Sequence, residues 1–207
     1  MSQDNVFDEA AVTNELLRTN PDLNSLTSKG YQVSQAPLLW ISNQQPVGTS
    51  YLVRYEEGVL AVVKSEDLEP GTAVTLWWVF FNVPENCEGE CDAGDLVNVA
   101  VKADMMGGEG HVIDGSGKAV FTSHRKLNDV EGTLAPTLWN RAGVGIEDAS
   151  KAVVHLVLRT HGPLIPEMEE EMTTTFNGGC QGFPAEVGEP GPNTCANIQG
   201  AIHLPGM

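Results

Sequence analysis

The residues with the clearest potential for chemistry lie in the stretch AVVHLVLRTHGP, residues 152–163. Side chains alternate between the two faces of an extended strand, so His155, Arg159 and His161 are expected to share one face. The other face carries the apolar side chains and is expected to face the core. Two imidazoles and a guanidinium in one row can bind an anion or a carboxylate substrate.

The same row can instead hold a transition metal if a further histidine folds close to it, because neutral imidazole is a common metal ligand. The histidines available for this are His111, His124 and His203. The structural alternative is that His155 and Arg159 hydrogen-bond and pair with acidic neighbours on an outward face.

A second candidate is the acidic loop ENCEGECDAGDL, residues 85–96. Carboxylate oxygens are the ligands that Ca²⁺ prefers, and a short loop tied by cysteines can hold them together. The candidate calcium ligands are Glu85, Glu88, Glu90, Asp92 and Asp95. The spacing does not match an EF-hand, and Asp92 or Asp95 can alternatively cap a turn.

The four cysteines form two local pairs, Cys87 with Cys91 and Cys180 with Cys195. Zinc sites more often show two closely spaced pairs or pairs completed by nearby histidines. We therefore expect two disulfides and an oxidising compartment. The first residues, MSQDNVFDEAAV, show neither a basic nor an apolar leader region, so we expect that a leader was removed.

Other catalytic patterns are weak in this sequence. The nucleophile motif G-x-S-x-G is absent, and 28 acidic residues give no basis for choosing a pair of carboxylates for glycoside hydrolysis. Trp40 or Trp139 can offer a stacking face to a sugar, which makes a carbohydrate-binding module a further alternative.

The net charge of −17, with only 11 basic residues, argues against a nucleic-acid or membrane-surface partner. No run approaches the length of about 18 apolar residues that a membrane span needs. An acidic surface also keeps an extracellular protein soluble, so the charge by itself does not imply cation binding.

The elements that must position these residues are short strands separated by turns. Glycine and proline are plentiful, Glu56-Glu57-Gly58 predicts a tight hairpin, and Asp67–Thr72 predicts a Pro-Gly corner between two sheets. We predict an all-β domain, an antiparallel β-sandwich or Greek-key barrel of about eight to ten strands, over residues 31–207. The predicted strands are Leu38–Ser42, Ser50–Tyr55, Val59–Lys64, Ala73–Asn82, Val97–Ala103, Gly110–Ile113, Ala119–Ser123, Ala152–Thr160 and one near Ala196–His203.

The aromatic run TLWWVFF, residues 75–81, predicts the central strand of this domain. Trp77 and Trp78 are adjacent and must point to opposite faces, so both faces of the strand need a cover. Residues 1–30 differ in pattern and predict an N-terminal arm or a short helix, with Phe7 and Ala11 on one face.

The segments LEPGTAVTLWWVFFNVPENC, GHVIDGSGKAVF, VHLVLRTHGPLIP and TFNGGC, with Ile-Gln-x-Ala-x-His near the end, occur in this order. In the order of these segments the chain resembles a family of secreted bacterial proteins that has no assigned activity. The resemblance covers roughly residues 50–203 and implies secretion and an all-β fold. Residues 1–30 fall outside it, and Asp114 stands where a glycine is usual.

These patterns favour a non-enzymatic extracellular structural or binding protein, self-assembling into a homo-oligomer and stabilised by calcium. An N-terminal arm suits the addition of a segment to the open sheet edge of a neighbouring copy. The rival hypothesis is a metal-binding protein or enzyme centred on His155, Arg159 and His161.

Overall fold

The computed structural model describes residues 30–132, 134, 143–182 and 185–206. The predicted N-terminal arm therefore lies outside the described residues, apart from Gly30, and so does Trp139. Within the described ranges, no helix is long and apolar enough to cross a membrane.

Eight strands and a short α-helix form the described part of the chain. They are β1 (Tyr31–Trp40), β2 (Pro46–Tyr55), β3 (Gly58–Ser65), β4 (Thr72–Phe81), β5 (Ala103–Val112), β6 (Ala119–Lys126), β7 (Val153–Pro163), α1 (Glu169–Thr174) and β8 (Ala196–His203). Short 3-10 helices occupy Pro84–Asn86, Ala93–Val97, Pro166–Met168 and Ala185–Val187. The prediction of an all-β, antiparallel fold is confirmed.

The strands form one antiparallel sheet in the order β5-β4-β7-β8-β1-β2-β3-β6, which curls into a nearly closed barrel. In the described part of the chain the two end strands, β5 and β6, share no backbone ladder. Side chains join them instead. The Arg125 guanidinium donates to the Gly107 carbonyl, and the Glu109 carboxylate accepts from the Thr122 amide.

β4 lies between β5 and β7, and all ten of its residues are buried. Trp78 and Phe80 point into the barrel and belong to its main apolar core. Trp77, Val79 and Phe81 point outward into a second apolar cluster. The prediction that both faces of this strand are covered is confirmed, but β4 lies beside the end strand β5 and not at the centre of the sheet.

An outer layer covers the outward face of β4, and we use this name for residues 83–102, 164–182 and 185–195. Val101, Phe176 and Val187 from these segments complete the second cluster. Two disulfides lie in this layer, Cys87–Cys91 with Cα atoms 5.1 Å apart and Cys180–Cys195 with Cα atoms 5.6 Å apart. Both predicted cysteine pairs are confirmed.

The glycine at position 110 shows how closely this layer packs. A Cβ added at Gly110 would collide with the Thr173 carbonyl of α1. Glycine therefore allows α1 to lie directly on β5.

The predicted strand Val97–Ala103 is wrong. A 3-10 helix and turns occupy this stretch, and β5 runs unbroken from Ala103, so it also contains most of the predicted strand Gly110–Ile113. The Asp92 carboxylate accepts from the Gly94 amide, and the Asn98 side chain accepts from the Ala100 amide. These local bonds close turns in a segment whose alternating valines mimic a strand.

Closure of the barrel can be tested at the buried indole of Trp78, which donates to the Ser123 hydroxyl over 2.8 Å. Ser123→Ala leaves this N–H without its acceptor, so we expect the free energy of unfolding to fall by about 1–3 kcal/mol. Urea denaturation measures the change. Thr122→Val is the matched control on the same strand and should cost much less, and equal losses would contradict closure through Ser123.

Candidate functional site

The outer face of β7 carries the predicted row of polar residues. His155, Arg159 and His161 all lie on this face, but each has a different environment. His161 is fully buried, Arg159 is nearly so, and His155 is partly exposed.

The His161 ring is held by a chain of hydrogen bonds under the outer layer. The Trp77 indole donates to Thr75 Oγ1 over 2.8 Å, and the Thr75 hydroxyl donates to His161 Nε2 over 2.9 Å. His161 Nδ1 donates to the Gly178 carbonyl over 2.9 Å. A carbonyl can only accept, so Nδ1 carries a proton, and both ring nitrogens are engaged.

Burial lowers the pKa of His161 to about 4, and the positive charge of Arg159 adds to this effect. The ring is therefore neutral at physiological pH. His161 also lies close to Cys180 and Cys195, but their sulfur atoms form a disulfide and are not thiolates. This arrangement suits a structural role.

Arg159 of β7 forms hydrogen bonds with the segment that follows α1. Its Nε donates to the Phe176 carbonyl over 2.7 Å, and its Nη atoms donate to the side-chain oxygens of Asn177 and Asn197 over 3.2 Å. The guanidinium also lies 4.2 Å from the centre of the Phe176 ring. Burial lowers the pKa of Arg159 to about 10, so it keeps its charge while it joins the outer layer to the sheet.

His155 is different because its Nε2 is buried without a hydrogen-bond partner. The ring packs 4.9 Å from the ring of Phe81. Burial lowers its pKa to about 4, opposed in part by the negative charge of Asp92. His155 is thus the one member of the row that borders an open concavity.

That concavity is a groove of about 270 Å³ on the outside of the barrel, which we call the seam slot. It lies at the shortest ladder of the sheet, since β1 and β8 pair only through Leu39 with Gly200 and Trp40 with Gln199. The lining is largely apolar and consists of Ala36, Pro37, Leu39, Ile41, Gln44, His155, Leu156, Val157, Gly200, Ala201 and Ile202.

Sequence reasoning identified His155 but missed the rest of the slot. The sequence signal for the slot lies in β8, whose polar and apolar faces are exchanged. The polar Gln199 and His203 point into the barrel, whereas the apolar Ile202 points outward. Inside the barrel, Gln199 bonds Ser65, and the two ring nitrogens of His203 bond Ser34 and Ser50. An apolar outward row on a strand with polar inward residues indicates an outer surface with a partner.

The histidines proposed as further metal ligands have other partners. His203 bonds the two serines, His124 bonds the Tyr55 hydroxyl, and His111 lies 3.3 Å from the Glu109 carboxylate. Trp40, proposed as a sugar platform, is only partly exposed at the end of β1.

In the acidic loop the five candidate calcium ligands separate into two groups. Asp95 is buried, and its two oxygens accept from the amides of Glu88 and Asp92 over 3.2 and 3.0 Å. Asp92 caps the 3-10 helix through Gly94. Glu85, Glu88 and Glu90 are exposed, and so is Asp92. The geometry of Asp92 and Asp95 therefore suits the turn-capping alternative, and calcium binding stays a prediction.

Compared with known protein families, curated proteins and solved structures, the chain has no match. The resemblance to a secreted bacterial family therefore stays a prediction.

The role of Asp95 can be separated from calcium binding. Asp95→Asn keeps the shape but replaces one acceptor oxygen with a donor, so we expect a loss of about 1–3 kcal/mol in the free energy of unfolding. The loss should be the same with calcium and with a chelator in urea denaturation. A loss that occurs only with calcium would instead make Asp95 a metal ligand.

Three histidines with lowered pKa values predict a pH dependence of stability. The pKa values of His155, His161 and His203 fall from 6.5 to about 4, mainly through burial. Between these values the unfolded chain binds more protons than the folded one, so stability is full above pH 6.5 and falls as the pH is lowered towards 4.

Thermal unfolding across this pH range, with imidazole titration by NMR, checks the pH dependence. Titration midpoints near 6.5 in the folded protein would contradict the described burial. The partly exposed Asp148 affects stability only below this pH range, because its pKa is lowered from the ordinary 3.8 to about 2.

Proposed function

We propose that the protein is a non-enzymatic extracellular binding module that assembles with copies of itself through the seam slot. The observation that carries the proposal is the apolar outer surface at this seam. Ile41, Ile202 and Leu204 are 45%, 49% and 41% exposed, and the first two line the slot. Exposed aliphatic side chains clustered at a groove are typical of protein interaction sites.

The charge of the chain supports burial of this surface in an interface. A net charge of −17 makes copies of the protein repel one another at long range. Association at this surface then depends on apolar burial, since apolar area contributes about 25 cal/mol per Å² removed from water. Binding through the slot should accordingly strengthen as salt screens the repulsion.

The arrangement of the polar residues agrees with a binding role. His161 and Arg159, two of the residues first considered for catalysis, hold the outer layer against β4. Asp95 has a similar role in the acidic loop. Two disulfides support an oxidising compartment, which agrees with an extracellular location.

Calcium is retained as a proposed stabiliser of the assembly. The exposed carboxylates of Glu85, Glu88 and Glu90 can bind it at the loop or between copies. The loop closed by Cys87 and Cys91 would limit their spread.

Gly200 gives a sharp test of assembly through the slot. A Cβ added there would lie 3.7 Å from the Leu156 carbonyl oxygen and 3.8 Å from Ile41 Cγ1, which are ordinary contacts. Gly200→Ala should therefore fold and assemble normally. Gly200→Leu should fill the slot and weaken association at least about tenfold, as lost packing at the centre of an interface does.

Sedimentation equilibrium of both variants and the wild type, in high and low salt and with calcium or a chelator, measures this effect. A wild type that stays monomeric under all these conditions would rule out self-assembly. Equal association of the two variants would place the interface elsewhere.

The rival metal-binding function has one supporting observation, the unpartnered Nε2 of His155 beside the slot. Elemental analysis of the purified protein is the direct test. Stoichiometric copper, zinc or iron that is lost in His155→Ala would favour the rival. His161→Ala serves as a control for indirect loss through the outer layer.

A further inference from the structure

A second site lies at the end of the β1–β2 hairpin away from its turn, inside one end of the barrel. Arg54 of β2 points inward and is only 5% exposed. A buried cation is costly unless a counter-charge or enough acceptors surround it.

Three carbonyl groups accept hydrogen bonds from the Arg54 guanidinium. Nη1 donates to Ala149 and Ala152, the latter over 2.9 Å, and Nη2 donates to His203 over 3.1 Å. Among the described residues no carboxylate pairs with this guanidinium, and its Nε is buried without a partner. Three of the five N–H donors of the guanidinium are used, so the Nε–H and one Nη2–H have no acceptor among the described residues.

Burial lowers the pKa of Arg54 to about 10. The group therefore keeps its positive charge at neutral pH. Carbonyl oxygens supply only partial negative charge, so the cation lacks a full counter-ion.

A cavity of about 680 Å³ opens at this end of the barrel, with Arg54 in its wall. Leu127 supplies apolar surface, while Tyr31 and Tyr55 alternate to the opposite face of the hairpin from Arg54 and contribute only at the rim. The cavity is large enough for a small organic molecule, and such sites combine an apolar lining with a few fixed polar groups.

We propose that this cavity binds a small organic carboxylate, with its carboxylate on the remaining N–H of Arg54 Nη2 and its apolar body against Leu127. Guanidinium and carboxylate groups match as paired donors and acceptors, and the charge of the ligand completes the charge balance of Arg54. The site is independent of the seam slot and of self-assembly.

Acidic residues at the cavity wall do not oppose this assignment strongly. Glu147 pairs with Lys102 over 3.0 Å, and Asp148 pairs with Lys151 over 2.8 Å. These ion pairs reduce the negative field that an entering carboxylate meets. Glu56 is a further acidic residue at the wall, and it is exposed to solvent.

Gln32 allows a test that leaves Arg54 itself in place. It lies directly opposite Arg54 in the β1–β2 register, lines the same cavity and is exposed. Gln32→Glu has the same shape and adds a carboxylate next to Arg54, so it should act as an internal competitor for the ligand. Gln32→Ala removes the side chain without adding charge and is the matched control.

The probe is sodium benzoate, compared with neutral benzamide and with sodium chloride at equal ionic strength. The readout is the NMR signal of Arg54 Nε–H, together with calorimetric titration. Benzoate should shift this signal saturably in the wild type and in Gln32→Ala, and benzamide should not. In Gln32→Glu the signal should already be shifted, and benzoate affinity should fall at least about tenfold.

Three results would each overturn the proposal. One is an Nε–H signal that benzoate does not move, and another is an equal response to benzamide or chloride. The third is unchanged benzoate affinity in Gln32→Glu.

Discussion

Burial of β4 on both faces is the constraint on which the rest of the structure depends. Trp77 and Trp78 point in opposite directions, so the strand needs a barrel on one side and a separate cover on the other. A barrel built from eight strands supplies the first. The outer layer supplies the second, and because it contains little regular structure it must be fastened by specific bonds.

This requirement explains the residues that first suggested chemistry. His161 and Arg159 bond the segment after α1, and Asp95 bonds the loop after β4. Each of the two segments also contains a disulfide. Polar side chains that satisfy buried backbone groups can look like a site in the sequence, since the same residue types serve both purposes.

The sequence predicted the fold class, the cover on both faces of β4 and both cysteine pairs, because these depend on residue types and their spacing along the chain. The Pro-Gly turn at Asp67–Thr72 was predicted to join two sheets, whereas it joins β3 and β4 of a single sheet. The sequence did not predict the turns at Val97–Ala103, where Asp92 and Asn98 override an alternating apolar pattern.

The seam slot and the cavity at Arg54 depend on which strands become neighbours. Strand order depends on contacts between residues distant in sequence, so no local pattern predicts it. Only the seam slot has a local signal, the exchanged polar and apolar faces of β8.

The central claim is that the polar groups beneath the outer layer are structural, while the apolar seam between β1 and β8 is the interaction surface. Hydrogen exchange of backbone amides, measured as protein concentration rises, tests it most directly. The account predicts added protection confined to the turn at Ile41–Gln44 and to residues 200–204. Protection that appears over the outer layer instead, with none at the seam, would contradict it.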